Sequence, residues 1–311
     1  MQKNILVIGG TRQVGKLLVQ KLVDTGHRVT LATRGRTPDH FGARVNRIVV
    51  DRHDAGAMRA AFAATSGYDV VYDLLCDNPL DAAIALDVFK NKTQRYVMTS
   101  SMDVYRLMMG RQDEPFEELD LDLREQKIDM AYPWRDPLLW NESRAAGKRQ
   151  AEALLYRDAS LPLVTVRIAH VIGAEEDARG KLAHYVALAQ TDQALLYTNA
   201  KAVTSFVNPL EISNFLYWTG MQHFLGPVNA ACGGVLSALD LHRRVGAVLG
   251  EKVRALPLST QAGLSPFDYP YPYVMATARA ASMGYRFSHC DDWLDLLIHQ
   301  HQPALVCRMA A

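Results

Sequence analysis

Little in this sequence announces a compartment, a metal or a polyanionic partner. It has only four cysteines in 311 residues (Cys76, Cys232, Cys290 and Cys307), and no two form a Cys-x-x-Cys pair. That spacing argues against a structural zinc site and suits a reduced, cytoplasmic protein with ordinary thiols. Neither charge is in surplus: 34 Lys and Arg oppose 33 Asp and Glu, a net charge of +1. No global field therefore draws the chain onto nucleic acid or an anionic membrane, although a local basic groove remains open. No uninterrupted apolar stretch is long enough to span a bilayer. The first apolar run covers only residues 5–8, with no small-residue cleavage site after it, so no signal peptide is expected. Internal repeats and low-complexity tails are also missing.

What is present is a regular alternation. Nearly half the residues (49%) are hydrophobic, enough for a substantial core, and the length suits one large or two intimate domains. Short apolar, β-branched runs at 5–8, 29–32, 48–50, 70–74, 96–99 and 164–168 predict strands buried on both faces. Helical patterns at 14–25, 55–64 and 80–90 separate the earlier ones. This order predicts an α/β fold, a doubly wound parallel Rossmann sheet with right-handed crossovers. The expected division is a nucleotide-binding domain over residues 1–172, with contributions from about 203–232, and a smaller, mixed C-terminal substrate-binding region over 173–311. In that later part, helices are expected at 182–190, 210–223 and 236–249, and strands near 203–207 and 228–231.

Two segments break the rhythm. Residues 108–141 are rich in Asp, Glu, Arg and Pro, with Glu117-Glu118-Leu119-Asp120-Leu121-Asp122 at their centre. A solvated loop or short helix is expected there, with a lid over a cleft as the functional alternative. Ser265 to Tyr273, rich in proline and tyrosine, cannot be regular helix.

The chemistry begins with Ile5-Leu6-Val7-Ile8-Gly9-Gly10-Thr11-Arg12-Gln13-Val14-Gly15-Lys16, a strand that enters a glycine turn and then a helix. Gly9, Gly10 and Gly15 let backbone approach a pyrophosphate, and a helix from about Gln13 offers it unpaired amides. Thr11, Arg12 and Val14 belong to the same turn. The second strand runs into Thr33-Arg34-Gly35-Arg36 with no carboxylate to bond a ribose 2′-hydroxyl. Arg34 and Arg36, with Arg12, stand where a 2′-phosphate would lie, so NADP(H) is expected in preference to NAD(H). The alternative is three solvated arginines. Asp51, beside Arg52 after the third strand, is a candidate for the adenine amine, or equally for a turn or helix cap. Leu75 is placed at the edge of the adenosine pocket.

Together these residues resemble the extended short-chain dehydrogenase/reductases, and most closely the atypical epimerase/dehydratase-like branch whose first turn reads Gly-Gly-Thr-Arg. That branch includes chloroplast stem-loop-binding proteins. Tyr96-Val97-Met98-Thr99-Ser100-Ser101 is similar to the strand carrying the family's catalytic serine, which falls on Ser101. Gly147-Lys148-Arg149-Gln150-Ala151-Glu152 is similar to its active-site helix, placing the family's lysine on Lys148. Arg167 to Gly173 resembles the segment beside the nicotinamide, which sets His170 next to the cofactor. Phe206 to Glu211, and Gly284 to Phe287 with Asp292-Trp293-Leu294, resemble later family motifs.

The departure is at Arg144, four residues before Lys148, where the family carries the tyrosine that moves a proton during hydride transfer. A guanidinium is always protonated and cannot shuttle protons, but it can stabilise a developing alkoxide or bind a carboxylate. Tyr105, Tyr132, Asp103 and His170 are the alternative proton donors, alongside water or a substrate that needs no acid. The resemblance implies an NADP(H)-dependent reductase of a small metabolite's carbonyl, imine or enone. The alternatives are a catalytically inactive NADP(H)-sensing protein and, less favoured by the neutral charge, an RNA-binding protein. Members of the family often dimerise through helices matching residues 80–90 and 144–156, so a homodimer stays open.

Overall fold

A computed structural model of the chain describes residues 1–173, 180–258 and 265–301. Cys307 lies outside the described residues. The strands are, in chain order, β1 (Asn4–Ile8), β2 (Arg28–Thr33), β3 (Asn46–Val49), β4 (Val70–Asp73), β5 (Tyr96–Ser101), β6 (Leu163–Ile168), β7 (His170–Val171), β8 (Ala194–Tyr197), β9 (Thr204–Val207), β10 (Gly226–Ala230), β11 (Val235–Leu236) and β12 (Arg254–Pro257). The helices are α1 (Gln13–Asp24), α2 (Ala55–Phe62), α3 (Pro79–Phe89), α4 (Trp140–Asp158), α5 (Lys181–Gln190), α6 (Pro209–Met221), α7 (Ala238–Leu249), α8 (Ala278–Ser282) and α9 (Leu294–Gln300).

The chain divides into two compact units. The first comprises residues 1–106, 117–168 and 212–230. Its seven-stranded sheet has the order β10-β6-β5-β4-β1-β2-β3, and every adjacent pair is parallel. The central strands β1 and β4 are buried because both faces are covered, whereas the edge strand β3, Asn46-Arg47-Ile48-Val49, is largely exposed, which corrects the expectation of a strand buried on both faces there. Leu6 and Ile8 pack with Met58 and Phe62 of α2, Ala85 and Phe89 of α3, and Ala151 and Leu155 of α4. Side chains alternate across a strand, so Val7 points the other way, toward Val19 of α1 at Gly10. On that second face Lys21 of α1 bonds Asn214 of α6 at 2.6 Å. Gly220 of α6 lies so close over Tyr72 that a Cβ there would fall 1.8 Å from the phenol oxygen. The result is a Rossmann sheet, with β10 returning from late in the chain to extend it beyond β6.

Two buried polar networks run through this core. Arg52 pairs with Asp73 at 2.6 Å, and Tyr96 donates to the same carboxylate at 2.6 Å. Arg167 forks onto Glu152, bonds the Tyr105 hydroxyl at 2.7 Å and donates to the Glu118 carbonyl at 2.9 Å. Glu118 therefore corrects the expectation of a solvated acidic run. It is buried, and its carboxylate accepts the Asn229 amide at 2.8 Å. Its neighbours Glu117, Leu119 and Asp120 remain exposed, on a short 3-10 turn.

The second unit comprises residues 107–116, 169–211 and 231 onward. It contains a mixed sheet of order β11-β9-β7 and a parallel pair, β8 with β12. Its core joins Leu182, Tyr185 and Val186 of α5 to Leu241 and Val245 of α7 and Ile298 of α9. Helix α7 carries both ends of its own definition. Ser237 and Asp240 form a reciprocal capping box, and Gly250 ends the helix at φ +71°. No helix among the described residues is long and apolar enough to cross a membrane.

Candidate active site and nucleotide cradle

At the carboxyl ends of β1 and β4 the chain forms the cradle that its glycines predict. In a parallel sheet whose strand order reverses between these two strands, ligands bind in the crevice that opens there. Gly9 and Gly10 hold φ of +95° and +89°, backbone that other residues rarely adopt. A Cβ on Gly15 would meet the Gly10 Cα at 2.8 Å and Leu74 at 2.9 Å, so only glycine lets α1 sit so low on the turn. Leu75 packs against Gly9, within 3.2 Å of where a Cβ would be. Arg12 is the N-cap of α1 in extended conformation, and its own side chain makes no capping hydrogen bond. No acidic residue occupies the first turn either. Backbone that can approach closely, a helix start that the Arg12 side chain does not cap and no competing carboxylate suit a dinucleotide's pyrophosphate. Thr11 and Val14 are half-buried within this turn, and Gln13 opens the helix at φ +49°.

Arg12, Arg34 and Arg36 are exposed and make no ion pair among the described residues. Asp51 resolves to a turn: its carboxylate accepts the His53 amide at 3.0 Å, while Asp54 caps α2. Arg52 is a correction. Instead of facing a nucleotide it is 3% exposed and paired inward with Asp73. Burial opposes its charge, but the Asp73 carboxylate outweighs that and raises its pKa.

The helix that carries the sequence-predicted Arg144 and Lys148 is α4. Arg144 and Lys148 stand one turn apart on it and so share a face. The Lys148 ammonium is buried and donates to the Cys76 carbonyl at 2.8 Å and the Thr99 carbonyl at 2.8 Å. Its third contact is the Asp77 carboxylate, at 2.8 Å. Burial would push the Asp77 carboxyl up, but Lys148, then Arg144 and His53, hold it below the usual carboxylate range. Asp77 is the member of this site that sequence reasoning missed. Its one signal is its place just past β4, at the mouth of the same crevice. Gly147 lets α4 approach there, since a Cβ would come 2.6 Å from the Asp77 carbonyl.

Ser101 ends β5, two residues beyond Thr99, and its hydroxyl oxygen accepts the Asp103 amide at 3.2 Å. The Arg144 guanidinium lies over the Trp140 ring at 5.5 Å, and its Nε is buried without a hydrogen-bond partner among the described residues. Tyr105 is the second correction. It is fully buried, bonded to Arg167 and to the Asn229 side chain at 2.9 Å, and burial drives its phenol pKa upward. A hydroxyl locked in that network has no access to substrate.

Tyr132 sits in the loop before α4, its ring 4.5 Å from that of Trp134. Asp129 organises this loop by accepting the Ala131 and Tyr132 amides, and Gln150 of α4 accepts the Asp129 amide. Tyr132 lines a cavity of about 270 Å³ with Lys127, Trp134, Glu142, Ala146 and Gln150. At about 100° per helical residue, Glu142, Ala146 and Gln150 face away from Arg144 and Lys148.

His170 belongs to the second unit. Its Nε2 and the Tyr269 hydroxyl are 2.9 Å apart, and the two rings lie nearly parallel. Phe206, Phe267 and Tyr273 surround it. The Tyr-Pro connector thus supplies an aromatic partner for His170. Also in this unit, donor atoms of His289, Cys290 and Asp291 lie within 4.8 Å of one another. Arg244 occupies the Asp291 carboxylate at 3.3 Å, a cation where a metal would need the ligand.

Comparison with known proteins agrees with this geometry. Residues 9–185 match the model of a family described as NAD(P)H-binding. A curated relative, the chloroplast stem-loop binding protein of 41 kDa b from Arabidopsis thaliana, is 32% identical over 117 residues. That match spans 33% of this chain and 30% of the relative's length. Among solved structures, an epimerase from Methanothermobacter thermautotrophicus superposes with a TM-score of 0.70 at 17% identity, over 96% of this chain and 92% of that one. The dTDP-glucose 4,6-dehydratase of Bacillus anthracis in complex with NAD gives 0.71 at 11% identity, over 96% of each. The UDP-glucose 4-epimerase of Thermus thermophilus, also with NAD, gives 0.66 at 15%, over 97% and 99%. At these identities the likeness is one of fold.

Proposed function

Because the chain belongs to the NAD(P)H-binding family, we propose that it is an NADP(H)-dependent reductase of the atypical short-chain dehydrogenase/reductase type. Its substrate is the carbonyl, imine or enone of a small metabolite. The observation that carries this reading is the glycine cradle together with a buried lysine on α4, held at the carboxyl ends of β4 and β5. Gly9, Gly10 and Gly15 receive the pyrophosphate, Leu75 borders the adenosine, and Lys148 serves the nicotinamide-side ribose. Arg34 and Arg36, aided by Arg12, favour a 2′-phosphate in the absence of any carboxylate closing β2.

The cofactor, when bound, supplies hydride. Ser101 orients the substrate oxygen, and Arg144 stabilises negative charge developing on it without transferring a proton, so the oxygen takes its proton from water. An acceptor that already carries positive charge, such as an iminium, needs no general acid, which fits a site without the usual phenol. A second reading, an NADP(H)-sensing protein without turnover, draws support from the same Arg144 and from a Lys148 whose three N–H groups are all engaged.

Calorimetry with NADPH and NADH tests cofactor choice. Binding of NADPH at least tenfold tighter is expected, with the preference lost in Arg34→Ser/Arg36→Ser. Equal affinities in the wild type would refute the NADP(H) assignment. NADPH consumption across carbonyl, imine and enone panels then separates the readings, because tight binding with no turnover selects the sensor.

A further inference from the structure

An ammonium has three hydrogens to donate, and the structure engages all three of those on Lys148. Two acceptors are backbone: the Thr99 carbonyl lies within β5 and the Cys76 carbonyl lies three residues past the end of β4. The third is a side chain, and the Asp77 carboxylate is a third exposed (34%). Lys148 can therefore take a new partner only by releasing Asp77. A released carboxylate beside the crevice needs another cation, because leaving it unpaired in a half-buried site is costly. Arg144 stands one turn before Lys148 on the same face of α4. Its Nε is buried and unbonded among the described residues, and its guanidinium is steadied on Trp140 with no ion pair among those residues.

We propose that Asp77 is the exchangeable third ligand of Lys148, and that when a cofactor ribose hydroxyl takes its place the carboxylate passes to Arg144. The inference rests on the assignment of Lys148 to the nicotinamide-side ribose. It gives the arginine at the tyrosine position a task of its own, as receiver in an ion-pair exchange coupled to cofactor binding. Asp77 is then a positioning residue. In the free protein it immobilises Lys148, and in the loaded protein it fixes Arg144.

The test is a double-mutant cycle on NADPH affinity, measured by calorimetry on the full chain, with a thermal melt of each variant to establish folding. Removing the competing charge in Asp77→Asn is expected to tighten binding about three- to tenfold, toward the lower end of the about 2- to 150-fold coupling between residues in contact. Arg144→Gln, which removes the receiver, is expected to weaken binding by about the same factor, while Arg144→Lys retains it. In the Asp77→Asn background, Arg144→Gln should change affinity by less than about twofold, because no charge remains to be received. Unchanged or weaker binding by Asp77→Asn overturns the exchange, as does an Arg144→Gln effect of equal size in both backgrounds. If Asp77→Asn does not fold, the Arg144→Gln and Arg144→Lys pair decides: equal losses in both overturn the proposal. A wild type that binds neither NADPH nor NADH overturns the cofactor reading itself, an outcome distinct from failure of the exchange.

Discussion

Replacing Gly15 with alanine tests the cradle at its tightest point. The new methyl would sit 2.8 Å from the Gly10 Cα and 2.9 Å from Leu74 Cδ1. Carbon atoms in good contact lie about 3.5–4.0 Å apart, so the two parts must separate by about 1 Å. Gly10 cannot yield easily, because a Cβ-sized space beside it is already bounded by Val19 and Val7. The α1 N-terminus must therefore lift off the turn. Overpacking of this kind costs about 1–3 kcal/mol, which for a chain of this size lowers Tm by very roughly 2–10 °C. The amides at the start of α1 move with it, and a tenfold loss of NADPH affinity needs only about 1.4 kcal/mol of misplacement. Thermal melts and calorimetry on the same sample read both effects. Unchanged Tm together with NADPH affinity within about twofold of wild type would refute the idea that this contact sets the cradle.

Three further outcomes follow from the same structure. Asp73→Asn leaves Arg52 charged and buried with Nε and Nη1 already unbonded among the described residues, so a loss of about 3–5 kcal/mol is expected in denaturant melts, whereas Arg52→Met/Asp73→Leu should cost far less. The His53 pKa is raised, chiefly by its hydrogen bond to Asp81 at 2.9 Å. A raised folded-state pKa stabilises fully below about 6.5 and fades as pH climbs through the elevated value. His53→Gln should therefore lower Tm in mild acid, and a gap that widened with rising pH would contradict the pairing. Burial lowers the pKa of His242, the hydrogen bond to the Arg254 carbonyl only partly offsets this, the charge of His184 adds to the lowering, and its Nδ1 has no partner among the described residues. Protonation then opposes folding, so wild-type stability should fall as pH drops below about 6.5. His242→Asn should flatten that loss in pH-dependent melts, and an equally steep profile would exclude His242 as its source.

The central sheet was legible because its information is local. Apolar runs mark strands covered on both faces, and the first six strands lie within a residue or two of where those runs predict them, although β3 is an edge strand and largely exposed. The small parallel pair β8 with β12 was not legible. Each strand has only four residues, of which Leu195 alone is buried, and β12 ends on a proline. Helix α9 was missed for a similar reason, seven residues being too few to establish a period.

By itself, then, the sequence determined what short-range pattern can encode: the alternation of strands and helices, the glycine turn, and the placement of Arg144 and Lys148 on one helical face. Tertiary structure alone decided which charges meet. Arg52 and Asp73 are 21 positions apart, Tyr105 and Asn229 are 124 apart, and Lys148 reaches the Cys76 carbonyl across 72. Periodicity says which side of an element a residue occupies, but nothing about which distant segment the sheet order brings opposite it. A buried polar atom must be satisfied by whatever the fold delivers to it. That is why Arg52 and Tyr105 turned inward, and why a carboxylate with no motif of its own came to rest on the lysine.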